Sequence, residues 1–256
     1  MKESTEGGEL DGKIALVTGS SRGLGRGIAI ALAKQGCKVF LNYKSNHEAA
    51  IRTQNEITEF GGIAELAPAD MSIRQEVVEL FEKIGREGRL DILVNNAGVN
   101  RRQNFMETSD ADWDYVLDTN LKGPFIASQE AFRIMENQKY GRIVNISSIS
   151  GQNHGPKTIH YAVSKAGLNS LTKVLARYGA GNGILVNAVA PGIIPTEQTE
   201  SELNSAGGRA YLDQTLLKTF GTTDDVAAAV LYLVSKSGDY ITGQVISIAG
   251  GAYLGS

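Results

Sequence analysis

The chain of 256 residues predicts a single α/β domain, a doubly wound parallel sheet of about seven strands with helices on both faces. Three features predict it. Short, mainly apolar runs recur at 14–17, 39–41, 64–67, 92–94, 143–146, 185–189 and 245–248, as strands of a covered parallel sheet give. Helical patterns fill the intervals, at 48–60, 73–86, 127–136, 162–178 and 224–235, and such alternation builds parallel crossovers. Gly19, Gly23 and Gly25 stand between the first run and an apolar-periodic stretch carrying Leu24, Ile28 and Leu32.

Strand, glycine turn and helix in that order suit a pyrophosphate. Glycines let backbone approach a ligand closely, and a helix N-terminus presents free N–H groups and a positive dipole end. The spacing is G-x-x-x-G-x-G, and a turn that merely contains glycines is the competing reading. The second strand ends Asn42-Tyr43-Lys44-Ser45. Dinucleotide folds that select an unphosphorylated ribose carry an acid near this point. Here there is none, and Lys44, with Arg22 from the glycine loop and a hydroxyl, suits a 2′-phosphate. That implies NADP(H); Lys44 as ordinary solvated surface is the alternative.

The fifth strand leads to Ser148, and Tyr161 and Lys165 follow, four residues apart. On a helix these two share a face, which sets an ammonium beside a phenol. A free phenol has a pKa of about 10, and a nearby cation lowers it. The pair is then a tuned proton donor or acceptor, and the Ser148 hydroxyl, thirteen residues before the tyrosine, can orient a carbonyl oxygen. Taken alone, Tyr and Lys at this spacing also occur as surface decoration; the glycine loop argues against that here.

With these residues assembled, the chain resembles the short-chain dehydrogenase/reductase family from about Lys13 to Tyr253. Thr18-Gly19-x-x-x-Gly23-x-Gly25 matches its cofactor loop, and the resemblance places Thr18, Ser21 and Leu24 with the glycines, and Tyr43 and Ser45 with Lys44, against the dinucleotide. Asp70, with Met71 beside it, matches the acid that contacts adenine; Asp70 as a cap for the helix from 73 onward is the other reading. Asn95-Asn96-Ala97-Gly98 matches the signature after the fourth strand, which brings Asn96, Ala97 and Gly98 near the adenosine ribose. Pro191-Gly192-Ile193-Ile194-Pro195-Thr196 matches the segment that touches the nicotinamide carboxamide, through Pro191, Gly192, Ile194 and Thr196. Asn120, Ser148, Tyr161 and Lys165 match the catalytic four.

The resemblance implies a Rossmann fold and ketone reduction by NADPH. Tyr161 would protonate the alkoxide, and Lys165 would lower the phenol pKa and hold the nicotinamide ribose. Ser148 would bind the carbonyl oxygen, and Asn120 would hold a water linking Lys165 to solvent. A polar break before Leu121-Lys122-Gly123-Pro124 is the plainer reading of Asn120.

Within the family the chain is most similar to 3-oxoacyl-(acyl carrier protein) reductases, through 141–148, Phe220-Gly221-Thr222 and 240–244. It departs from them where Tyr178 follows Ala176-Arg177, and where Asn182 holds a position often basic for carrier-protein docking; Lys139 matches a second docking site. The expected activity is therefore reduction of a 3-oxoacyl thioester or a related ketone. The alternatives are an oxidoreductase of another ketone or alcohol, and a non-catalytic NADP(H)-binding sensor. The expected organisation is a disordered tail over 1–9 and one catalytic domain over 10–256, its substrate lid near 193–218, irregular over 193–208. The apolar stretches 226–234 and 246–254 suggest, by resemblance, a homotetramer; packing within the chain accounts for part of them.

A net charge of −3 implies no nucleic-acid face. The one cysteine, Cys37, excludes an internal disulfide and reads as a small core residue. No histidine–carboxylate cluster has metal-ligand spacing. His47 begins a surface helix, while His154 and His160 flank the catalytic segment and are candidates for the substrate pocket. No secretory signal or membrane-length apolar run is present, so a soluble cytoplasmic protein is expected.

Overall fold

The computed structural model describes residues 8–153, 158–197, 199, 203 and 206–255. All seven apolar runs are strands: β1 Ile14–Val17, β2 Lys38–Tyr43, β3 Ile63–Pro68, β4 Ile92–Asn95, β5 Gly141–Ile146, β6 Ile184–Pro191 and β7 Val245–Ile248. They form one parallel sheet in the order β3-β2-β1-β4-β5-β6-β7. The order reverses between β1 and β4. In open α/β sheets the crevice at such a switch point, outside the strands' carboxyl ends, is where ligands bind.

Among the described residues the α-helices are α1 Gly23–Lys34, α2 His47–Glu59, α3 Arg74–Gly85, α4 Asp110–Leu117, α5 Gly123–Gln138, α6 Ile159–Gly179, α7 Ala206–Gln214 and α8 Thr223–Val234. The strand pleat divides the core in two. Ala15, Val17 and Val94 pack with Ile28 and Leu32 of α1 and Val226 and Val230 of α8. Leu16 and Leu93 point the other way, onto Val77 and Phe81 of α3 and Ile126 and Met135 of α5. The central strands are therefore dry on both faces, which explains why they read as mainly apolar runs, while the edge strand β3 carries Glu65 and leaves Ile63 and Pro68 exposed.

At the amino edge of the sheet, the fully buried Asp91 ties β1 to β4. Its carboxylate accepts from the Ile14 N–H at 2.9 Å, Arg89 Nε at 2.8 Å and Lys13 Nζ at 3.3 Å.

Three expectations need revision. The helix expected over 127–136 starts earlier and continues α4 through a π turn at Asp118–Lys122. Pro124 has no N–H to give the carbonyl four residues back, so the regular ladder cannot run through this point. Of the tail expected over 1–9, residues 1–7 lie outside the described residues. Gly8 and Glu9 are held: the Gly8 carbonyl accepts from the Asp11 N–H, and Glu9 Oε1 accepts from the Lys236 N–H, each at 3.0 Å. The region expected to be irregular over 193–208 turns helical at Ala206. Among the described residues no helix is long and apolar enough to cross a membrane, and no group of His, Cys, Asp and Glu is placed to hold a metal ion.

Candidate active site

The loops at the carboxyl ends of β1, β2, β4, β5 and β6 enclose one cleft of about 1460 Å³. Its wall includes Gly19, Ser21, Arg22, Gly23, Leu24 and Gly25 from the glycine turn. Gly25 has a steric reason: a Cβ there would lie 2.4 Å from Asn96 Nδ2 and from the Gly19 carbonyl oxygen. Those two atoms are bonded to each other, since Asn96 Nδ2 donates to the carbonyls of Gly19 at 3.0 Å and Thr18 at 2.8 Å. The end of β4 thus braces the turn, and any side chain at 25 would push them apart.

Two residues expected against the cofactor do not face the cleft. Thr18 is 2% exposed; its Oγ1 accepts from the N–H groups of Asn96 and Ala97, both at 2.9 Å, and so serves as a brace. The Tyr43 side chain is buried and its hydroxyl pairs with His47 Nδ1 at 2.6 Å. The physical reason is the pleat: neighbours on a strand point to opposite faces, so Tyr43 turns towards α2 while Asn42 reaches the cleft. The cap of α2 is Asn46, which accepts from the Ala49 N–H at 3.0 Å.

Asn42 received no role from the sequence. It is 1% exposed and joins three elements, accepting from the Gly19 N–H at 3.2 Å and donating to the carbonyls of Ala67 at 3.0 Å and Ala69 at 3.1 Å. A buried amide inside an apolar run was its only signal. Beyond it lie Lys44, Ser45, Asp70 and Met71. Asp70 also organises the entry to α3, accepting from the Ser72 N–H and Oγ at 2.9 and 2.7 Å, though it is not the cap, which is Ile73. Arg22 Nη1 lies 3.9 Å from Glu197 Oε2 of the segment after β6.

The other end of the cleft gathers Ser148, Tyr161 and Lys165. Lys165 is 4% exposed. Its ammonium donates to the Ile146 carbonyl at 2.8 Å and sits 5.6 Å from the centroid of the Tyr161 ring. Burial pulls its pKa down to about 8. Ser148 Oγ accepts from the Ser150 N–H at 3.1 Å, so its own hydrogen can be offered to a ligand.

Asn120 is buried behind the wall, on the π turn. Its Nδ2 donates to the Val99 carbonyl at 2.8 Å and Ser164 Oγ at 3.1 Å, while Oδ1 accepts from the Val99 N–H at 2.8 Å. It clamps the loop after β4 to α6, the helix that carries Tyr161 and Lys165. His160 is 1% exposed and absent from the cleft wall; its Nδ1 accepts from the Tyr161 N–H at 3.0 Å. His154 lies outside the described residues.

Pro191, Gly192, Ile193, Ile194 and Thr196 continue the wall beyond β6, and Tyr211 of α7 closes over them. Tyr211 had no signal in the sequence. At the opposite, amino edge of the sheet, Lys139 Nζ donates to Asn182 Oδ1 at 2.7 Å.

A parallel sheet with a glycine turn after β1, and a buried lysine beside a tyrosine after β5, defines a dinucleotide-dependent oxidoreductase. The chain belongs to the short-chain dehydrogenase/reductase family. Residues 19–253 match the family described as enoyl-(acyl carrier protein) reductase. The chain is 42% identical over 243 residues to a 3-oxoacyl-[acyl-carrier-protein] reductase of Staphylococcus aureus, covering 94% of this chain and 98% of that one. To the reductase of the same description from Aquifex aeolicus it is 40% identical over 246 residues, covering 96% and 99%. Among solved structures it is similar to a short chain dehydrogenase from Burkholderia cenocepacia in complex with NADP, with a TM-score of 0.89, 35% identity and coverage of 95% and 99%.

Proposed function

We propose that the protein is an NADPH-dependent carbonyl reductase acting on a 3-oxoacyl thioester or a closely related ketone. The observation that carries this reading is the buried Lys165 ammonium beside the Tyr161 ring, in a cleft that runs on to the glycine turn. The residues fit the cofactor: the glycine turn lines the cleft, and Lys44 and Arg22 beside it suit a 2′-phosphate, as the NADP complex of a relative supports. Gly19, Ser21, Gly23, Leu24 and Gly25 would hold the pyrophosphate, Asp70, Met71, Asn96, Ala97 and Gly98 the adenosine, and Pro191, Gly192, Ile194 and Thr196 the nicotinamide. When bound, NADPH supplies the hydride for the carbonyl carbon.

The protein's own part is proton handling and charge stabilisation. Ser148 donates a hydrogen bond to the carbonyl oxygen, a contact that strengthens as negative charge develops there. Tyr161 gives that oxygen its phenolic proton. The Lys165 ammonium stabilises the phenolate left behind and so makes the transfer easier. Asn120 holds the Val99 loop and α6 in register, which fixes the positions of Tyr161 and Lys165.

The test is NADPH consumption with an acetoacetyl thioester and a panel of small ketones. Turnover supports the reading; NADPH binding with no turnover of any carbonyl sinks it in favour of a sensor. A second reading, an oxidoreductase of a free ketone or alcohol, has one observation in its favour. Asn182, at the position where a second docking cation is often found, faces Lys139 at 2.7 Å, so one cation and not two is presented there. Free ketones outpacing thioesters by orders of magnitude would decide for it.

A further inference from the structure

Tyr211 reaches back from α7 to the segment after β6, where its hydroxyl accepts from the Ile193 N–H at 3.1 Å. The fit is tight: a Cβ on Gly192 would lie 1.8 Å from that hydroxyl oxygen, so the phenol occupies space that any other residue at 192 would fill. Its ring is stacked on Phe220, 6.2 Å between centroids with 1° between planes. The phenol is thus fixed at both ends, and it lines the same cleft as Ser148 and Tyr161.

A hydroxyl that accepts from a backbone N–H keeps its hydrogen for another partner. Among the described residues no acceptor receives that hydrogen. Burial raises the Tyr211 pKa, so the group stays protonated at neutral pH. Ser148 and Tyr161 already serve the reacting carbonyl, so a third hydroxyl donor suits a different oxygen. The wall of the same cleft also carries the polar side chains of Asn100, Asn153, Thr158 and Gln214. A long alkyl chain lying against them would strip their water and give them no bonds in return.

We infer that Tyr211 is a specificity-determining residue, donating a hydrogen bond to a second carbonyl or carboxylate oxygen of a short oxo substrate. The inference rests on the carbonyl reductase reading and narrows its substrate.

The test compares ethyl 3-oxobutanoate, ethyl 3-oxodecanoate and 2-hexanone with NADPH, in the wild type and in Tyr211→Phe. The wild type is expected to favour ethyl 3-oxobutanoate over 2-hexanone by at least about tenfold in kcat/KM, the value of one hydrogen bond to a group otherwise left unpaired, and to favour it over ethyl 3-oxodecanoate as well, because the longer chain dries polar side chains of the wall. Tyr211→Phe is expected to erase most of the preference over 2-hexanone. A brace without substrate contact would lower both rates alike and leave their ratio intact, which would overturn the inference. So would a wild type that shows no preference, a comparison that stands even if the variant fails to fold. Reduction of other carbonyls but none of these three would overturn the inference and leave the reductase reading standing. No reduction of any carbonyl would remove both.

Discussion

Lys44 and Asp70 form an ion pair where the cleft passes the ends of β2 and β3, with Nζ 2.5 Å from Oδ2. Two residues expected to read separate parts of a cofactor are therefore one unit. Burial works to raise the Asp70 pKa, but hydrogen bonds from Lys44 and Ser72 outweigh it and hold the carboxyl below its usual range. An ammonium has three donors, so Lys44 can keep Asp70 and still face a phosphate. Replacing Lys44 by Gln is expected to lower the preference for NADPH over NADH by roughly ten- to a hundredfold in kcat/KM, the value of one charged hydrogen bond. Steady-state rates with both cofactors measure it. An unchanged ratio would assign the 2′-phosphate to Arg22 alone.

Lys165 sets a pH limit. With its pKa near 8, the ammonium that supports the Tyr161 phenol is lost above that point. The kcat/KM for reduction should then fall about tenfold per pH unit on the alkaline side, as loss of one essential proton requires. Tyr161→Phe should lose about 10²–10⁴ of the rate at every pH, the usual value of a positioned general acid.

The same shift has a consequence for stability. The folded value lies below the ordinary 10.5, so the unfolded chain holds this proton more tightly. The burial penalty is complete below pH 8 and shrinks as pH rises from there to 10.5. The melting temperature of Lys165→Met relative to wild type should be most favourable below pH 8 and lose ground above it. A difference that does not vary with pH would mean that the ammonium is solvated.

Asp91 tests the base of the sheet. Arg89 and Lys13 are partly exposed and can rehydrate when Asp91 is removed, but the Ile14 N–H is left buried without its acceptor. Asp91→Ala should therefore destabilise by about 2–3 kcal/mol, near the upper range for an unpaired buried donor. Urea unfolding measures it; a change under half a kcal/mol would show that water replaces the carboxylate.

Cys37 is 1% exposed and burial pushes its thiol up to about 12. Because the thiolate is the reactive form, iodoacetamide should leave the native protein unlabelled at pH 8 and label it fully in urea. Rapid native labelling would mean that the α1–β2 corner opens.

The strands were legible because burial on both faces leaves an apolar run that nothing else of that length explains. The glycine turn, Ser148, Tyr161 and Lys165 were legible because each depends on short spacing. What was hidden depends on three dimensions. Tyr43 reads like a neighbour of Lys44, yet the pleat turns it to α2. Asn42 reads as a missing acid, yet it is the amide that joins β1, β2 and β3. The π turn and the helix before it precede the one pattern read there, 127–136, and a slip of five residues leaves no period of its own. The Tyr211 bond to Ile193 spans eighteen residues, with no pattern between to announce it.

The widened turn at Asp118–Lys122 constrains any laboratory evolution of this chain. Such turns are rare and persist mainly where they position something. A one-residue deletion would swing Asn120 off the Val99 loop and leave buried polar groups unpaired, while Pro124 would still interrupt the ladder. Hardier variants should therefore carry their gains on other helices, and screens for them should score turnover alongside survival.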